Sequence, residues 1–486
     1  MDWIEKKVAG TLNPPQVENT LERMQTDWSP SATPLREILE RFPLGESAVL
    51  HLISVSSVCA ARLIRHPEIL LWLARPEISD AARPVPAMQV GLQRIAEGSA
   101  FAGNFEALRF WKGREMTRIA LREVSGAAPL EETTLELSQL AEICLREVYT
   151  YWDCDLRSRR GGPDTPFAIL GLGKLGGREL NHSSDIDVIF IYGEEGQVSA
   201  NLTYHEWFNQ LGAKIIETFA AHAPAGALFR IDLRLRPEGT AGPLARSIDS
   251  MENYYAGFGE TWERLALIKA RGIAGSRELV YEFLRQHQPF IFPKNPTRDV
   301  RDEIGNIKRR IERDIVGREN IDRDVKLGAG GIREIEFVVQ ALQLLHGARH
   351  AFLQETSTLK VLPVLADLEL LPHQEARTLE DAYRFLRSVE HRLQIESEQQ
   401  THTVPENSDA LRRLAGSLGF PSAGKFNAAL REHMQKVRTI FRRVISAPDS
   451  IAPPAEERLD IFRDQKTAAK SLSDLAKQPG GFHVAP

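Results

Sequence analysis

The stretch GLGKLGGRELNHSSDIDVIFIY, residues 171–192, decides between two interpretations of the fold. Its first six residues match the G-x-G-x-x-G pattern of a dinucleotide-binding turn. That fold requires a crossover helix of about a dozen residues after the glycines, followed by a parallel strand. Only RELNHSSD intervenes before the next strand begins near Asp185. The spacing therefore argues against a nicotinamide site.

The two aspartates of this stretch indicate a metal site instead. Within a strand, Asp185 and Asp187 project from the same face, about 6.6 Å apart. Two like charges on an apolar strand are unfavourable unless a cation joins them, and Mg²⁺ usually binds carboxylates together with substrate phosphates. The preceding glycines allow backbone N–H groups to approach a triphosphate, to which Ser183 or Ser184 can also donate. We interpret the stretch as holding metal ions against a nucleotide.

A second segment, LFRIDLRLRP, is predicted to complete this site. Its strict alternation predicts a strand with Asp232, Arg234 and Arg236 on one face and apolar side chains on the other. Three carboxylates beside two guanidiniums are typical of a two-metal clamp with phosphate anchors. Each element alone also has a structural interpretation, as a solvated strand end or an ion pair. Their joint occurrence favours catalysis. His182 is interpreted as a surface-loop residue without a role.

Composition disfavours several classes of partner. The chain has 486 residues, of which 42% are hydrophobic and 26% charged, and a formal net charge of −5. Its pI of about 6.3 disfavours bulk nucleic acid or an anionic membrane as the main partner. The start MDWIEKKVAG lacks an apolar signal core, and no stretch reaches the roughly 20 apolar residues of a membrane span. Cys59, Cys144 and Cys154 form no disulfide framework or zinc motif, so we expect a cytoplasmic protein.

Helical periodicity dominates the rest of the chain. The first hundred residues predict helices broken at prolines, and residues 133–148 carry a clear apolar stripe. Thr133 and Glu136 offer a capping box at the start of that stripe. A further helix is predicted over residues 204–221, and RQHQPFIFPKNP, residues 285–296, is predicted to be a linker.

From residue 300 to about 445 the sequence predicts helices only. One segment of this region, KLGAGG at residues 326–331, is similar to KLGG at residues 174–177. No acidic pair follows the second copy at a matching distance, so we do not interpret it as a second catalytic site. A second linker, ISAPDSIAPPAEE, precedes a tail that begins like another helical unit and stops. We expect the chain to be part of a longer polypeptide.

Four segments together resemble the glutamine synthetase adenylyltransferase/deadenylylase family: the opening stretch, DLRLRPEGTAGPLARS, WERLALIKAR and KLGAGGIREIEFVVQ. The resemblance covers most of residues 101–445 and implies the nucleotidyltransferase superfamily of DNA polymerase β. The expected fold class is α+β and mostly helical, with a small mixed sheet in the catalytic domain. The expected domains are an N-terminal helical region (1–104), the nucleotidyltransferase domain (105–284), a helical bundle similar to PII uridylyltransferases (297–446), and a linker that starts a truncated C-terminal part (447–486).

The resemblance also implies roles for individual residues. The carboxylates that match the family's catalytic, metal-binding set are Asp185, Asp187 and Asp232. The residues that match its nucleotide- and phosphate-binding set are Gly173, Lys174, Ser184, Arg234 and Arg236. Four further charged residues fit a site role and an ion pair between domains equally well, and these are Glu263, Arg264, Lys269 and Arg333.

Members of the family combine a half that removes AMP from a tyrosine of glutamine synthetase by phosphorolysis with a half that adds it from ATP. WERLALIKAR and GGIREIEF resemble the AMP-removing half. The resemblance implies a regulator of nitrogen metabolism that uses two Mg²⁺ ions, with ATP, ADP and inorganic phosphate as substrates or products. Its implied partners are glutamine synthetase, the PII signal protein and a missing C-terminal adenylyltransferase half, with no nucleic acid and no membrane. The alternatives are an RNA or PII-protein nucleotidyltransferase, and a non-catalytic module that binds glutamine synthetase.

Overall fold

The computed structural model describes most of the chain. The described residues are 2–28, 33–96, 105–221, 223–294 and 321–446, together with 303, 306 and 307. Residues 1–441 form one compact unit, and a second unit begins at residue 442. The linker and tail predicted after residue 446 lie outside the described residues.

The N-terminal region is helical, as the sequence predicts, and prolines mark its breaks. Its helices are α1 (Asp2–Val8), α2 (Pro14–Thr26), α3 (Leu35–Glu40), α4 (Glu46–Val55), α5 (Ser57–Arg65), α6 (Glu68–Leu73), α7 (Pro76–Ser79) and α8 (Val85–Ala96). The apolar faces of α1 to α7 share one core, which includes the fully buried Leu21, Leu52 and Leu63. Met88 and Leu92 of α8 belong to a second core, which they share with the sheet. Among the described residues no single helix is long and apolar enough to cross a membrane, whereas α4 and α5, bent by 115°, meet those criteria only as a pair.

Two long helices, α9 (Glu106–Val124) and α10 (Leu130–Arg160), pack against each other. The apolar stripe predicted in α10 is confirmed, because all its members from Leu137 to Val148 are buried. The predicted capping box is wrong, since α10 begins at Leu130 and Glu136 lies inside it. The Glu136 carboxylate instead accepts a 2.6 Å hydrogen bond from Arg118 of α9, a guanidinium that is fully buried and needs a counter-charge.

A mixed five-stranded sheet lies beside α10. The strands within the described residues are β1 (Phe167–Gly171), β2 (Asp185–Tyr192), β3 (Gln197–Ser199), β4 (Leu202–Thr203), β5 (Arg230–Asp232), β6 (Ala245–Ser247) and β7 (Arg271–Gly275). Strands β3 and β4 pair separately, and the larger sheet has the order β5-β2-β1-β7 with β6 also on β2. β2 runs antiparallel to β1 and parallel to β5 and β6. The antiparallel β1–β2 pair, joined through the short helix α11 (Gly173–Gly176), confirms that the glycine pattern is not a dinucleotide-binding fold.

Helix α12 (Tyr204–Ala220) confirms the helix predicted there, and it begins at a capping box formed by Thr203 and Glu206. The strand predicted from LFRIDLRLRP is only partly correct, because β5 ends at Asp232. The Asp232 side chain accepts a 2.8 Å hydrogen bond from the backbone N–H of Arg234, which turns the chain out of the strand. Beyond this turn the predicted alternation fails: Arg236 is buried.

The remaining helices are α13 (Ile248–Phe258), α14 (Thr261–Leu267), α15 (Arg277–Ile291), α16 (Ile332–His346), α17 (Thr358–Asp367), α18 (His373–Ile395), α19 (Ser408–Ser417) and α20 (Ala423–Ser446). The linker predicted over residues 285–296 is wrong as far as Ile291, because α15 continues through it. The cause is a buried stripe at four-residue spacing, formed by Leu279, Phe283, His287 and Ile291. The helices predicted after residue 300 are confirmed within the described residues.

Candidate active site

The sheet brings the three predicted carboxylates together. β2 and β5 are parallel neighbours, and their register places Asp187 opposite Asp232 and Asp185 opposite Arg230. All three carboxylates are half-buried. Adjacent strands lie about 4.8 Å apart, so the in-register pair is close enough for one cation to contact both side chains.

The charges of these carboxylates repel one another. Burial, together with the charges of Asp232 and Asp185, raises the pKa of Asp187 to about 6. Burial acts on Asp232 in the same direction, but hydrogen bonds from the Arg234 guanidinium and backbone N–H outweigh it and lower the pKa of that carboxyl. The site therefore carries an uncompensated negative charge that is centred on Asp187.

Two arginines at the edge of the site form ion pairs with the two outer carboxylates. Arg230 Nε lies 2.6 Å from Asp185 Oδ1, and Arg234 Nη2 lies 2.5 Å from Asp232 Oδ2. The two arginine side chains are 55% and 73% exposed, although their carboxylate partners are only 26% and 12% exposed, and ion pairs that water can reach from one side contribute little more than about 0–1 kcal/mol. Both guanidiniums can therefore leave their carboxylates at little cost when another cation binds.

The glycine turn forms the wall behind Asp187. Gly173 has a φ of +51°, which favours glycine, and a Cβ built on it would lie 2.4 Å from Asp187 Oδ2. The backbone N–H of Leu172 donates a 2.9 Å hydrogen bond to the carbonyl oxygen of Asp187. Glycine at position 173 thus leaves room for the central carboxylate, which explains one member of the sequence motif in physical terms.

Replacing Gly173 with Ala is expected to lower the rate of nucleotidyl transfer at least tenfold, because the new methyl group displaces the Asp187 carboxylate. The matched control is Gly126→Ala, where φ is +76° but no atom lies within 4 Å of the place that a Cβ would take. Both variants should lose about 1–2 kcal/mol through backbone strain, measured by denaturant unfolding. Equal activity of the two variants would contradict the role given to Gly173.

The other predicted phosphate ligands lie beside the site but are engaged with protein groups. Lys174 Nζ lies 3.0 and 3.2 Å from the two carboxylate oxygens of Glu390, and burial lowers its pKa to about 8. Ser184 Oγ accepts a 3.3 Å hydrogen bond from the backbone N–H of Asn181. The neighbouring Ser183 donates its hydroxyl to the Glu398 carbonyl at 2.9 Å. The assignment of Lys174 and Ser184 to nucleotide binding stays a prediction.

Arg236 organises the loop after β5. Its guanidinium donates to backbone carbonyl oxygens, which belong to Leu233, Thr240, Gly242 and Pro243. Because these bonds close the turn on itself, Arg236 and Arg234 do not share a face as the sequence predicted. Arg234 is exposed beside Asp232, and so it is the member of the pair that has access to a substrate phosphate.

Helix α18 contributes residues that sequence reasoning did not assign. Arg387 donates to the Glu179 carbonyl and to Asn181 Oδ1, both at 2.5 Å, and Glu390 binds Lys174. Both α18 residues are completely buried. The signal was present, because these charged residues lie three apart within an otherwise apolar helical stripe, LEDAYRFLRSVEHRLQ, which we interpreted as core packing alone.

His182 was predicted to be a surface residue, and this is wrong. Its Nε2 lies 2.7 Å from Glu123 Oε2, and His391 Nδ1 lies 3.2 Å from the same oxygen. Candidate ligand atoms of these three residues lie within 4.8 Å of one another. The Arg392 guanidinium already neutralises Glu123 at 2.8 Å, so we interpret the cluster as a buried hydrogen-bonded link between the loop before Asp185 and α18.

Three of the four further charged residues have structural partners. Lys269 Nζ lies 2.5 Å from Glu179 Oε2 and 3.1 Å from Thr358 Oγ1 of α17. Glu263 belongs to a capping box of α14, and Arg264 donates to the carbonyl oxygen of Phe290. These contacts favour the structural alternative for the three residues.

A small mixed sheet that carries acidic residues on adjacent strands, within a mostly helical chain, defines an α+β fold of the nucleotidyltransferase class. The family model described as glutamate-ammonia ligase adenylyltransferase matches residues 47–286. A second model, described as GlnD PII-uridylyltransferase, matches residues 300–445. The chain belongs to the glutamate-ammonia ligase adenylyltransferase family.

Several curated relatives share one name. The chain is 38% identical over 447 residues to the bifunctional glutamine synthetase adenylyltransferase/adenylyl-removing enzyme of Thioalkalivibrio sulfidiphilus. The matched region covers 88% of this chain and 46% of the relative. The protein of that name from Nitrosococcus oceani is 38% identical over 432 residues, 86% of this chain and 43% of the relative. The protein of that name from Aromatoleum aromaticum is 35% identical over 441 residues, which are 89% of this chain and 46% of the relative. The chain spans about half the length of these relatives.

Proposed function

We propose that this chain is a Mg²⁺-dependent nucleotidyl transferase that acts on glutamine synthetase and removes AMP from one of its tyrosines by phosphorolysis. The observation that carries the proposal is the register of β2 and β5, which sets Asp187 opposite Asp232 with Asp185 two residues away. The names of the curated relatives include both the adding and the removing activity. The resemblance of WERLALIKAR to the AMP-removing half supports the removing activity for this chain.

The residues present fit Mg²⁺. Three carboxylates supply hard oxygen donors, and the raised pKa of Asp187 reflects a burial and a charge repulsion that a divalent cation would relieve. The Gly173 turn keeps space free beside the Asp187 oxygen. Asp185, Asp187 and Asp232 would hold the metal, for which the family resemblance implies two ions. When bound, Mg²⁺ neutralises charge on the phosphoryl group during transfer.

The protein's own groups position the reacting phosphates. Arg234 is exposed and can exchange Asp232 for a phosphate oxygen, to which a guanidinium can donate two hydrogen bonds. Backbone N–H groups of the glycine turn are the further candidate donors to the nucleotide. Because transfer of this kind requires an in-line arrangement of attacking and leaving oxygens, the main contribution of the chain is orientation, which can be worth several kcal/mol of barrier.

Phosphate is a better acceptor than water in such a site. An anion gives the arginine and the metal a charge to bind, whereas water offers neither charge nor fixed orientation. The nucleotide product would then be ADP. We further propose that the region similar to PII uridylyltransferases contacts the PII protein, and that the chain acts in the cytoplasm, where its three free cysteines would stay reduced.

The test incubates the chain with AMP-modified glutamine synthetase, Mg²⁺ and phosphate, and follows the intact mass of the synthetase subunit. The proposal requires loss of the AMP mass, which should stop with EDTA and with the Asp232→Asn variant. An unchanged mass in the presence of the folded chain would overturn it. Gain of AMP mass from ATP, without removal, would show that the chain belongs to the adding half.

A further inference from the structure

A lysine outside the sheet, Lys326, lies within electrostatic range of the carboxylate site. Of the cations predicted for phosphate, Lys174 binds Glu390, Arg236 binds backbone carbonyls and Arg234 binds Asp232. The hydrogen bonds of Lys326 within the described residues are made by its backbone N–H and carbonyl groups, and its Nζ takes part in no ion pair there. Its side chain is nevertheless half-buried. A partly buried ammonium that has carboxylates in electrostatic range but makes no direct ion pair keeps its hydrogen-bond donors available to an anionic ligand.

The backbone around Lys326 is fixed. The residue lies in the KLGAGG loop (residues 326–331), the sequence echo of the glycine turn. Asp324 Oδ1 accepts a 2.8 Å hydrogen bond from the Lys326 backbone N–H and another of 2.8 Å from Leu327. The Lys326 carbonyl accepts a 3.1 Å bond from Arg333 at the start of α16. The lysine is therefore held in place by the loop and does not belong to a freely moving surface.

A short series of contacts joins this loop to the glycine turn. The backbone N–H of Val325 donates to the His402 carbonyl at 2.9 Å, and His402 Nδ1 lies 3.2 Å from Glu390 Oε1. Glu390 in turn holds Lys174 of the turn at 3.0 Å. The positive charge of Lys326 is close enough to lower the pKa of Asp187 and of Lys174. The two KLG segments thus lie on either side of Glu390 and beside the carboxylates.

We propose that Lys326 binds the inorganic phosphate ion that attacks the AMP–tyrosine bond, an assignment that rests on the proposed function. An oxygen of HPO₄²⁻ forms a bond to the phosphorus of AMP. The bond from that phosphorus to the tyrosine oxygen breaks, and the oxygen keeps the electron pair. The proton of HPO₄²⁻ ends on the tyrosine oxygen, so the products are ADP and glutamine synthetase with an unmodified tyrosine side chain. Lys326 contributes the charge that holds the attacking group.

The test measures ADP formation from AMP-modified glutamine synthetase over a range of phosphate concentrations. Lys326→Met should raise the KM for phosphate about 10- to 100-fold, the usual effect of losing a charge-assisted hydrogen bond. The KM for the modified synthetase should stay unchanged, and Lys326→Arg should retain most of the phosphate affinity. Lys214→Met is the matched control, because Lys214 lies on α12, where it forms an exposed ion pair with Glu217 and lies over the ring of Trp152.

A second measurement is independent of turnover. Phosphate with Mg²⁺ should raise the Tm of the chain without substitutions and that of Lys326→Arg, but not that of Lys326→Met. An unchanged phosphate KM in a folded Lys326→Met variant would overturn this inference and leave the proposed function intact. If the chain without substitutions forms no ADP, the proposed function is overturned, and this inference with it.

Discussion

Replacing Asp187 with Asn is expected to reduce nucleotidyl transfer by about 1,000-fold or more while the chain stays folded. The residue lies at the centre of the carboxylate site, opposite Asp232. Charge stabilisation by a bound metal is worth several kcal/mol, and each 1.36 kcal/mol corresponds to a factor of ten in rate. Since Asn keeps the shape but not the charge, the loss would be specific to metal binding. Steady-state rates at saturating Mg²⁺ measure it.

The same substitution should stabilise the metal-free protein. The pKa of Asp187 in the folded chain is about 6, against a usual value of 3.8, so between these pH values the folded state binds more protons than the unfolded state. The stability of the unmodified chain therefore falls relative to the variant as pH rises from about 4 to 6. Above pH 6 the difference should level at roughly 2–3 kcal/mol in favour of the variant.

The control for this pair of measurements is Asp164→Asn, in the exposed loop before β1. Removing that charge should change neither the rate nor the pH dependence of unfolding. Near-normal activity of Asp187→Asn with ample Mg²⁺ would contradict the metal assignment. A large loss of stability, instead of a gain, would show that Asp187 has a structural role.

Replacing Glu390 with Gln is expected to produce the largest loss of stability, about 3–5 kcal/mol, because it leaves buried cations without their counter-charge. Glu390 is fully buried, and it contacts Lys174, Arg387 and His402 at 3.0, 3.3 and 3.2 Å. Burial alone would raise its pKa, but Lys174 and its other neighbours hold it well below the usual range. Its stabilising effect is therefore present at neutral pH and is lost only as pH falls through that low pKa.

A matched comparison uses an exposed ion pair between α10 and the same helix, α18. Glu131 pairs with Arg384 of α18 at 2.7 Å, but both side chains are more than 40% exposed. Glu131→Gln should therefore cost no more than about 1 kcal/mol. Denaturant unfolding of both variants at neutral pH tests the contrast. Equal, small losses would mean that α18 is not anchored to the glycine turn through Glu390.

The features that the sequence predicted correctly depend on local patterns. The eight apolar and acidic residues of β2 are contiguous, so alternation and strand length identify both the strand and its aspartates. The buried stripe of α10 is likewise visible from the spacing of apolar residues within one helix. The pairing of β2 with β5 was expected only because both segments carry carboxylates, and the structure supplies the register.

The errors depend on contacts between distant parts of the chain. Arg236 follows the alternating pattern, yet a side-chain hydrogen bond at Asp232 ends the strand before it. His182 lies in a polar loop, yet Glu123 and His391, from two separate helices, bury it. Glu136 fits a capping box but has a stronger partner in Arg118. In each case a polar partner outweighs the local preference.

The central claim is that the carboxylate site transfers AMP to phosphate, and the position of a phosphorus label tests it most directly. AMP-modified glutamine synthetase is incubated with the chain, Mg²⁺ and ³²P-labelled inorganic phosphate, and the nucleotides are separated. The account predicts that the label appears in ADP, in its β-phosphate, and that Asp187→Asn abolishes this product. Release of unlabelled AMP, at a rate indifferent to phosphate, would contradict the account and identify a hydrolase.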